Sequence, residues 1–338
     1  MRSPEHWRHR GGLAALLAPL GWLYGLGARL DRWTSRRHRV AVPVISIGNL
    51  TAGGTGKTPV AIALATHLAA AGIAVHILSR GYGGRLAGPV RVDPARHGAA
   101  DTGDEPLLLA RAAPTWVARD RVAAARAAIA AGAQLLLLDD GHQHYRLARD
   151  CSLLVADEGR WLGNGRVMPA GPLREPLGPA LARADALVAI ADPAGAGLPM
   201  PAALARLPRC TARFEVPEGI AAVLRGQPVF AFAGIGRPEK FFATLRALGA
   251  RPVAAVPFAD HAPYSIDQVA RLLEAAAEAG ARPVTTEKDH VRLPADAQAL
   301  VTAVPVRLLF DDPSALERAI APALARIAPP AAAREARP

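Results

Sequence analysis

The segment Thr51-Ala52-Gly53-Gly54-Thr55-Gly56-Lys57-Thr58 decides the fold. It follows a short apolar run at 42–47 and precedes a helix-like stretch at 60–71. The order strand, glycine loop and helix is typical of a phosphate-binding loop, because glycines let backbone N–H groups converge on phosphate oxygens at a helix N-terminus. In such a loop Lys57 contacts the β- and γ-phosphates of a nucleotide, and Thr58 holds Mg²⁺.

Two positions of this loop depart from related patterns. Thr51 stands where the usual G-x-x-x-x-G-K-[ST] pattern has its first glycine, although the surrounding strand and helix are in place. Ala52 stands where dimerising ATPases carry a lysine that reaches the partner's phosphates. Because alanine has no charge to offer, the sequence disfavours a partition-type ATPase.

Size and composition bound the class of protein. The chain has 338 residues, 51% of them hydrophobic, which is enough for two domains and a sizeable core. A formal net charge of +11 favours an anionic partner. Aromatic residues are sparse and not interleaved with the basic ones, so nucleic acid is not expected as a partner. The two cysteines, Cys151 and Cys210, are far apart in sequence, so a disulfide framework or zinc site is not expected and a reducing cytoplasm fits.

Apolar runs alternate with alanine-rich helical segments along the chain. The pattern predicts buried strands at 42–47, 74–78, 135–138 and 152–155 and helices at 60–71, 105–113 and 119–131, hence a mostly parallel α/β sheet of the phosphate-loop NTPase type. After a loop at 191–202, a second alternating set follows: strands at 228–233, 252–256 and 282–286, and helices at 238–247, 265–279 and 313–327. We therefore expect a kinase-like domain at 41–220, a smaller α/β domain at 221–328 and a flexible tail at 329–338.

The N-terminal segment, residues 1–40, has an uncharged run from Gly11 to Ala28 with arginines on both sides. Basic flanks on both sides argue against a cleaved signal peptide, and Pro19 with several glycines makes a membrane-spanning helix marginal. The pattern favours an interfacial helix whose leucines and Trp22 enter the lipid boundary while arginines meet lipid phosphates. The alternative is a helix packed on the protein's own core.

Polar residues that follow the predicted strands are candidates for chemistry. Asp139 and Asp140 end an apolar strand, where phosphate-loop proteins place an acid beside Mg²⁺, although two acids after a strand are often only a turn. His142 and His144 follow, but no third histidine is near in sequence, so a transition-metal site is disfavoured. The segment Ser79-Arg80-Gly81-Tyr82-Gly83-Gly84 follows another strand, at the sheet edge where α/β proteins bind ligands.

Asp104 and His261 have two interpretations each. Asp104 opens a predicted helix in Gly103-Asp104-Glu105-Pro106, where it is either a helix cap or a general base for a hydroxyl nucleophile. His261 follows a strand of the second domain, and Asp260 beside it would stabilise its imidazolium. Local pattern does not choose between the structural and the functional interpretation.

Together, the motifs of this chain resemble those of the tetraacyldisaccharide 4′-kinase family of the lipid A pathway. The similarity extends from the N-terminal apolar segment to about residue 325, and the ordered set is far more specific than the glycine loop alone. The motifs that carry it are Gly48 to Pro59, Ser79 to Gly83, Gly103 to Pro106, Asp139-Asp140-Gly141, Gln143-His144, Gly171-Pro172-Leu173-Arg174-Glu175-Pro176, Phe258 to His261 and Thr286-Glu287-Lys288-Asp289.

The resemblance implies ATP- and Mg²⁺-dependent phosphorylation of the 4′-hydroxyl of a tetraacyldisaccharide 1-phosphate lipid. It also implies a peripheral protein whose N-terminal helix associates with the cytoplasmic face of the inner membrane. Asp104 and His261 correspond to the family's catalytic pair. Tyr82 and Arg174 fall within matching motifs and are further site candidates. Metal and phosphate roles would fall on Thr58, Asp139, Asp140, Gln143, His144 and Glu175.

Two departures from the family pattern concern the same regions. His142 stands where the family usually has phenylalanine, and Ala262 where a second histidine often follows. The first could alter packing near the acid pair, and the second leaves His261 alone in its motif. Two rival functions remain: a phosphate-loop kinase or ligase with a soluble substrate leaves the N-terminal segment unexplained, and a membrane-recruited nucleotide switch gives Asp104 and His261 no role.

Overall fold

The computed structural model describes residues 4–192 and 197–327. In these ranges the backbone forms thirteen strands in two sheets. The strands are β1 Val44–Gly48, β2 Val75–Ser79, β3 Val90–Arg91, β4 Thr115–Val117, β5 Leu135–Asp139, β6 Cys151–Asp157, β7 Ala186–Ile190, β8 Arg209–Glu215, β9 Pro228–Ala233, β10 Arg251–Pro257, β11 Arg282–Thr286, β12 Thr302–Val304 and β13 Arg307–Phe310.

Thirteen α-helices connect these strands within the same described ranges. They are α1 Gly12–Leu16, α2 Ala18–Thr34, α3 Lys57–Ala70, α4 Ala99–Thr102, α5 Asp104–Leu109, α6 Arg121–Ala130, α7 Leu177–Leu181, α8 Glu218–Leu224, α9 Pro238–Ala247, α10 Ile266–Glu278, α11 Glu287–His290, α12 Ala295–Gln298 and α13 Pro313–Leu324. The strands and helices predicted from the sequence are all present, with bounds that differ by a few residues. Part of the predicted loop at 191–202 and the predicted tail at 329–338 lie outside the described residues.

The larger sheet has the order β13-β8-β7-β6-β1-β5-β2-β4-β3. Neighbours from β8 to β4 pair in parallel, while β13 and β3 add antiparallel edges. The mostly parallel α/β fold predicted from the sequence is therefore confirmed. Strand β1, which leads into the glycine loop, lies at the centre between β5 and β6.

Helices cover both faces of the larger sheet. Leu135 and Leu137 pack in the cluster that includes residues of α3 and α13, whereas Leu136 and Leu138 pack in the cluster that includes residues of α6. A parallel strand buried on both faces needs apolar residues without alternation, which explains the unbroken leucine run of β5. The N-terminus of α6 is capped by Asp120, whose side chain accepts hydrogen bonds from two backbone N–H groups.

The smaller sheet has the order β10-β9-β11-β12, and all its neighbours pair in parallel. One face packs on α9 through Phe241 and Phe242, and the other packs with α10 through Val269 and Leu272. Asp289, at the start of the segment that follows β11, is fully buried beneath this sheet. We call this part of the molecule, β9 to β12 with its helices, the smaller unit.

The sheets divide the chain differently from the boundary predicted at 220. Strand β13 pairs with β8 in the larger sheet, and α13 packs against β6 and β1 there. The chain therefore returns to the larger sheet after β12, so that 307–324 belongs with that sheet and its helices, which we call the larger unit. The predicted domain at 221–328 included this segment because alternating patterns do not indicate which sheet a strand joins.

Helices α1 and α2 lie on the surface of the larger unit. Gly21 and Gly25 allow α2 to lie close to the segment around Val167 and Pro176. A Cβ on Gly21 would lie 2.8 Å from the carbonyl oxygen of Val167, and a Cβ on Gly25 would lie 3.2 Å from Pro176. The large side chains of these helices point away from the protein and are exposed: Leu13, Leu16, Leu20, Trp22, Leu23, Tyr24, Leu26, Leu30 and Trp33. Among the described residues, none of the helices has the length and apolar character required to cross a bilayer.

Replacing Asp289 by alanine should destabilise the smaller unit strongly. Its carboxylate accepts hydrogen bonds from the Gly234 N–H at 2.9 Å and the Tyr264 hydroxyl at 2.8 Å, and it pairs with the buried Arg292. Removing one partner of a buried ion pair typically costs about 3–5 kcal/mol. Urea unfolding monitored in the smaller unit measures the change.

The matched control is Glu218→Ala, which removes an exposed ion pair with Arg225. Exposed pairs typically contribute less than about 1 kcal/mol. Equal losses in the two variants would show that Asp289 does not anchor the smaller unit.

Candidate active site

A deep cleft of about 2840 Å³ lies at the carboxyl ends of the larger sheet's parallel strands. Its walls come from both sheets, because the turn after β9 approaches the glycine loop. A Cβ on Gly236 would lie only 3.0 Å from the backbone nitrogen of Gly54, so glycine permits this close approach. The cleft includes every residue of the predicted phosphate loop from Ala52 to Thr58.

The glycine loop is tied down at both ends. At its start, Thr51 forms a bridge with Leu173 and the Ala52 N–H donates to the Pro172 carbonyl at 2.8 Å. At its end, Gly56 caps α3 with φ of 88°, and a Cβ there would meet Ile190 at 2.5 Å. Both the left-handed conformation and the lack of space require glycine. The loop therefore presents its N–H groups in a fixed shape at a helix N-terminus.

Lys57 lies inside the loop rather than in solvent. Its Nζ donates to Asn49 Oδ1 at 3.1 Å and lies 3.4 Å from Asp140. Asn49 in turn donates to the Thr51 carbonyl and to Thr55 Oγ1, so one amide orders both the loop and its lysine. Burial lowers the pKa of Lys57, while the carboxylate of Asp140 opposes that effect. Thr58 follows in the first turn of α3 and lines the cleft.

Asp139 and Asp140 face different surroundings. Asp139 is buried; one of its oxygens accepts from Ser79 Oγ at 3.1 Å, and the other has no hydrogen-bond partner in the described part of the chain. Asp140 accepts two hydrogen bonds from Arg174 Nη1, at 3.0 and 2.9 Å. Burial raises the pKa of Asp139, with a further contribution from Asp140. Burial also opposes ionisation of Asp140, but Lys57 and Arg174 outweigh it and lower that pKa.

The carboxylate of Glu175 binds residues other than Asp139 and Asp140. Its oxygens accept from Arg183 at 2.7 Å, from Gln143 Nε2 at 3.1 Å and from the Tyr145 hydroxyl at 3.3 Å. Gln143 also donates to the Asn49 carbonyl, so it links Glu175 to the glycine loop. The Arg183 guanidinium lies 5.2 Å from the centre of the Tyr145 ring. Glu175 therefore holds Gln143 in place.

His144 lies at the edge of the same cleft, and burial lowers its pKa to about 4. Its Nε2 has no partner among the residues that the structure describes. The acidic and imidazole side chains predicted as metal ligands do not converge in those residues as a group of three within 4.8 Å of one another. Only part of the predicted ligand set is therefore brought together.

Asp104 and His261 meet across the cleft, one from each unit. His261 Nδ1 lies 3.2 Å from one oxygen of Asp104 and 3.1 Å from the other. Asp104 is almost fully buried at the start of α5, whereas the His261 side chain is one-third exposed. The hydrogen bond that His261 donates to Asp104 raises the pKa of His261. Burial opposes ionisation of Asp104, but hydrogen bonds from His261 and Glu105 outweigh it and keep the pKa of Asp104 low.

Charged groups of both signs surround this pair. Lys288 Nζ lies 3.1 Å from His261 Nε2 and 2.7 Å from Glu105, and Arg292 Nε lies 3.6 Å from Asp104. Burial raises the pKa of Glu105 to about 7, with a further contribution from Asp104. Tyr82, which is largely exposed, places its ring edge-on with its centre 5.8 Å from that of His261.

Two of the polar residues in the cleft have unusual backbone conformations. Asp140 has φ of 48° and His261 has φ of 58°, both in the left-handed region. Asp and His enter this region more readily than other side chains, and the surroundings must still enforce it. Each residue follows a strand directly or nearly so, and the sharp turn directs its side chain into the cleft.

The two departures from the family pattern are accommodated differently. His142 is fully buried, with Nδ1 3.2 Å from Ser152 Oγ and Nε2 3.1 Å from the Ala180 carbonyl. Burial lowers its pKa to about 3, so it is a neutral packing residue beneath β1. At the other position, the Ala262 carbonyl accepts a hydrogen bond from Arg292.

Several residues of the site could not be identified from the sequence. Asn49, Glu105 and Lys288 were present within the quoted motifs, but nothing in the local pattern assigned them a role. Arg121 is buried and donates to the Asp140 carbonyl at 3.2 Å, although it reads as an ordinary helix residue. The signal that could have identified Lys288 is its position directly after a strand of the second alternating set.

The fold and the cleft define a class: α/β proteins in which a mostly parallel sheet and a smaller parallel sheet enclose a site built around a glycine loop. A family model described as Tetraacyldisaccharide-1-P 4'-kinase matches residues 13–325. The chain belongs to this family, as its motifs suggested.

Relatives and a solved structure agree with this assignment. The chain is 52% identical over 326 residues to a tetraacyldisaccharide 4'-kinase of Rhodospirillum rubrum, covering 95% of this chain and 97% of that one. It is 50% identical over 331 residues to the corresponding protein of Rhodospirillum centenum, covering 96% and 97%. The crystal structure of Aquifex aeolicus LpxK in complex with ATP matches with a TM-score of 0.72 and 27% identity, covering 92% of this chain and 99% of that one.

The pKa of His261 should depend on Asp104. Since the hydrogen bond to Asp104 raises this pKa above 6.5, Asp104→Asn should lower it, because burial and Lys288 then act with less opposition. The stabilisation from this pair should be present below pH 6.5 and be lost as pH rises through the raised pKa of His261. Histidine NMR titration and unfolding at several pH values measure both effects.

His142 is the internal control, because its low pKa should keep it neutral from pH 5 to pH 9 in both proteins. Asp311→Asn, at the edge of the larger sheet, is the control variant and should leave the titration of His261 unchanged. An unaltered His261 titration in Asp104→Asn would contradict the pairing.

Proposed function

We propose that this chain is an ATP-dependent kinase that phosphorylates the 4′-hydroxyl of the tetraacyldisaccharide 1-phosphate precursor of lipid A. Membership of the family supports the substrate and the reaction. The observation that carries the mechanism is the contact between Asp104 and His261 at 3.1 Å, at one side of the cleft that also contains the glycine loop. A phosphoryl donor and a group able to accept a proton thus share one site.

Residues of the larger unit bind the triphosphate in this proposal. The backbone N–H groups from Gly53 to Thr58 face the phosphates, and Lys57 moves from Asn49 to the β- and γ-phosphates. Arg174, held by Asp140, lies close enough to add positive charge on the same side. Phosphoryl transfer depends mainly on positioning and on neutralising phosphate charge, which these groups supply.

Asp104 accepts the proton of the sugar hydroxyl. Its pKa is low, so it is ionised and ready to accept a hydrogen bond from the attacking hydroxyl. His261 donates to the same carboxylate and orients it. Since Asp104 and His261 belong to different units, the site is complete only while the two units are in contact, as they are here.

The residues at the end of β5 fit a Mg²⁺ ion. The second oxygen of Asp139 is buried and has no partner in the described part of the chain, and Thr58 offers a hydroxyl at the start of α3. Oxygen ligands of this kind suit Mg²⁺, which when bound neutralises phosphate charge. Asp140 already pairs with Arg174 and Lys57, so we assign direct contact to Asp139 and Thr58.

Helix α2 binds the membrane surface that contains the lipid substrate. Its exposed leucines and tryptophans form an apolar surface, and Arg8, Arg10, Arg29, Arg32, Arg36 and Arg37 flank it. The end of this helix borders the cleft, which Asp31 and Ser35 also line. A helix lying in the cytoplasmic interface of the inner membrane would therefore present the cleft to lipid headgroups.

A phosphoryl-acceptor assay tests the proposed function. The protein is incubated with ATP, Mg²⁺ and the disaccharide 1-phosphate lipid, and mass spectrometry follows a lipid heavier by one phosphate. Lys57→Met is the control, and it should abolish the product while the fold is retained. Transfer only to a soluble acceptor, or only to water, would overturn the proposal in favour of a soluble-substrate kinase or a nucleotide switch.

Asp104→Ala and His261→Ala should each lower kcat by about 10²–10⁴-fold. If the two act as one unit, the double variant should be little worse than the worse single variant. ATP affinity, measured by calorimetry, should change little. His290→Ala in α11, whose ring contacts the Gln298 carbonyl instead, is the control. Losses that multiply fully would show that the two residues act independently.

Asp139→Asn and Asp140→Asn should differ in their response to Mg²⁺. Raising the Mg²⁺ concentration should partly restore Asp139→Asn, because its free oxygen is assigned to the ion. It should not restore Asp140→Asn, because that change releases Arg174 and Lys57 instead. Initial rates at saturating ATP across a Mg²⁺ series measure this. The reverse order of rescue would assign the ion to Asp140.

Changing Leu16, Trp22 and Leu23 together to glutamine should weaken binding to anionic vesicles at least about tenfold, since burying each large apolar side chain contributes about 1.5–3 kcal/mol. These side chains are exposed, so folding should persist. The matched control changes Val253, Ile266 and Leu300, which are exposed on the smaller unit, to glutamine. Vesicle co-sedimentation measures both, and equal binding of the two triple variants would refute the interfacial role.

A further inference from the structure

The start of α9 carries positive charge where a helix disfavours it. Arg237 is the N-cap residue of α9, its side chain does not cap the helix, and Lys240 lies in the first turn. The N-terminus of a helix has a partial positive charge, so cations there are unfavourable unless an anion compensates them. Glu239, the acidic residue of the same turn, is exposed. Arg237 and Lys240 therefore depend on a carboxylate from elsewhere in the molecule.

That carboxylate is Asp157, which ends β6 in the larger unit. One of its oxygens accepts hydrogen bonds from Arg237 Nη1 and Lys240 Nζ, both at 2.6 Å, and the other accepts from the Gly159 N–H at 2.9 Å. Asp157 is buried, and the side chains of Arg237 and Lys240 are less than one-fifth exposed. Burial opposes ionisation of Asp157, but Lys240 and Arg237 outweigh it and lower its pKa. We call Asp157, Arg237 and Lys240 the junction cluster.

The junction cluster adjoins the glycine loop. On the smaller unit, Gly236 directly precedes the cluster, and a Cβ there would lie 3.0 Å from the backbone nitrogen of Gly54. On the larger unit, Asp157 is paired in register with Ile190, whose side chain packs beside Gly56. The ionic contact between the two units thus lies where the smaller unit meets the phosphate loop.

The turn that carries the cations also reaches the catalytic pair. In the turn between β9 and α9, residues 234–237, the Gly234 carbonyl accepts a hydrogen bond from the His261 N–H at 3.2 Å. The turn is therefore fixed to the backbone of His261 at its start and to the junction cluster at its end. If the start of α9 moved away from the glycine loop, the backbone of His261 would move with respect to Asp104.

We propose that Asp157 is a positioning residue for the reaction: it binds Arg237 and Lys240, holds the turn 234–237 on the glycine loop, and so keeps His261 in contact with Asp104. This inference rests on the proposed kinase function for its catalytic meaning. The contact between the two units is a property of the free protein and stands apart from the identity of the substrate.

The first test measures the distance between the units and needs no substrate. Cysteines replace Arg126 on α6 and Ala277 on α10, which are exposed on the larger and the smaller unit, and each receives a spin label. The native Cys151 and Cys210 are buried, so the label reacts with the introduced pair. Double electron–electron resonance of the full-length protein without nucleotide should give one narrow distance distribution. Asp157→Asn should broaden or lengthen it, because two buried cations lose their anionic partner.

Two further variants serve as controls. Asp157→Glu keeps the charge and should retain most of the wild-type distribution. Arg318→Gln removes an exposed ion pair with Asp312 within the larger unit and should leave the distribution unchanged. The same distribution in Asp157→Asn and wild type would overturn the proposal. If Asp157→Asn does not fold, the double variant Arg237→Gln and Lys240→Met removes the same contact from the smaller unit and is judged by the same criterion.

The second test is kinetic. With the lipid acceptor and saturating ATP and Mg²⁺, Asp157→Asn should lower kcat by about 10- to 100-fold, because a displacement of about 1 Å in reacting groups costs roughly 10²-fold. Asp157→Glu should recover most of the rate, and Arg318→Gln should keep it. Adding Lys240→Met to Asp157→Asn should cost less than the product of the two single losses, because both changes remove the same contact.

Two kinetic outcomes would contradict the proposal: an unchanged kcat in Asp157→Asn, and losses that multiply fully in the double variant. Failure of the wild-type protein to phosphorylate the lipid would instead refute the proposed function. The distance measurement would still judge the role of Asp157 in that case.

Discussion

The contact between Asp104 and His261 is the interaction on which the arrangement of the cleft depends. Asp104 is buried in the larger unit, where an ionised carboxylate is unfavourable unless a partner compensates it. That partner comes from the smaller unit, together with Lys288 and Arg292. Because these cations come from the smaller unit and Asp104 from the larger one, the electrostatics of the site hold the two units in register.

The same principle operates at the end of β5. Asp139 and Asp140 are adjacent acids, the first buried and the second partly exposed, and Lys57, Arg121 and Arg174 surround them. The two acids nevertheless differ, because Asp140 receives the cations directly while one oxygen of Asp139 is left without a partner in the described residues. Two identical side chains at neighbouring positions of a tight turn therefore differ in role. Asp140 binds the surrounding cations, whereas Asp139 keeps one oxygen available for a ligand.

The strongly periodic part of the fold could be predicted from the sequence, because a buried parallel strand such as Leu135–Asp139 carries an unmistakable apolar run. Weak strands were missed for a physical reason. Arg209–Glu215 and Arg307–Phe310 lie towards the edge of the larger sheet, where exposed polar residues interrupt the pattern. Which sheet the last strand joins depends on contacts that are distant in sequence.

The site was predictable only in part. Asp104 and His261 could be paired through resemblance alone, since 157 positions separate them along the chain. Glu175 was predicted as a metal ligand, yet the cation of Arg183, eight residues away, occupies its carboxylate. Which partners a carboxylate binds depends on three-dimensional packing. The spacing of residues in the sequence could therefore not show that the Glu175 carboxylate is already paired.

The three lysines of the sequence, Lys57, Lys240 and Lys288, all line the cleft, and this has a practical consequence. An amine-directed reagent would find its side-chain targets at the active site, while the arginine-rich surface would not react in the same way. Labelling the lysine side chains with a single isotope would yield three side-chain signals: one from the glycine loop, one from the junction of the two units and one from Lys288 beside the catalytic pair. Because lysine occurs only at these three positions, uniform labelling of lysine side chains would report selectively on the active site.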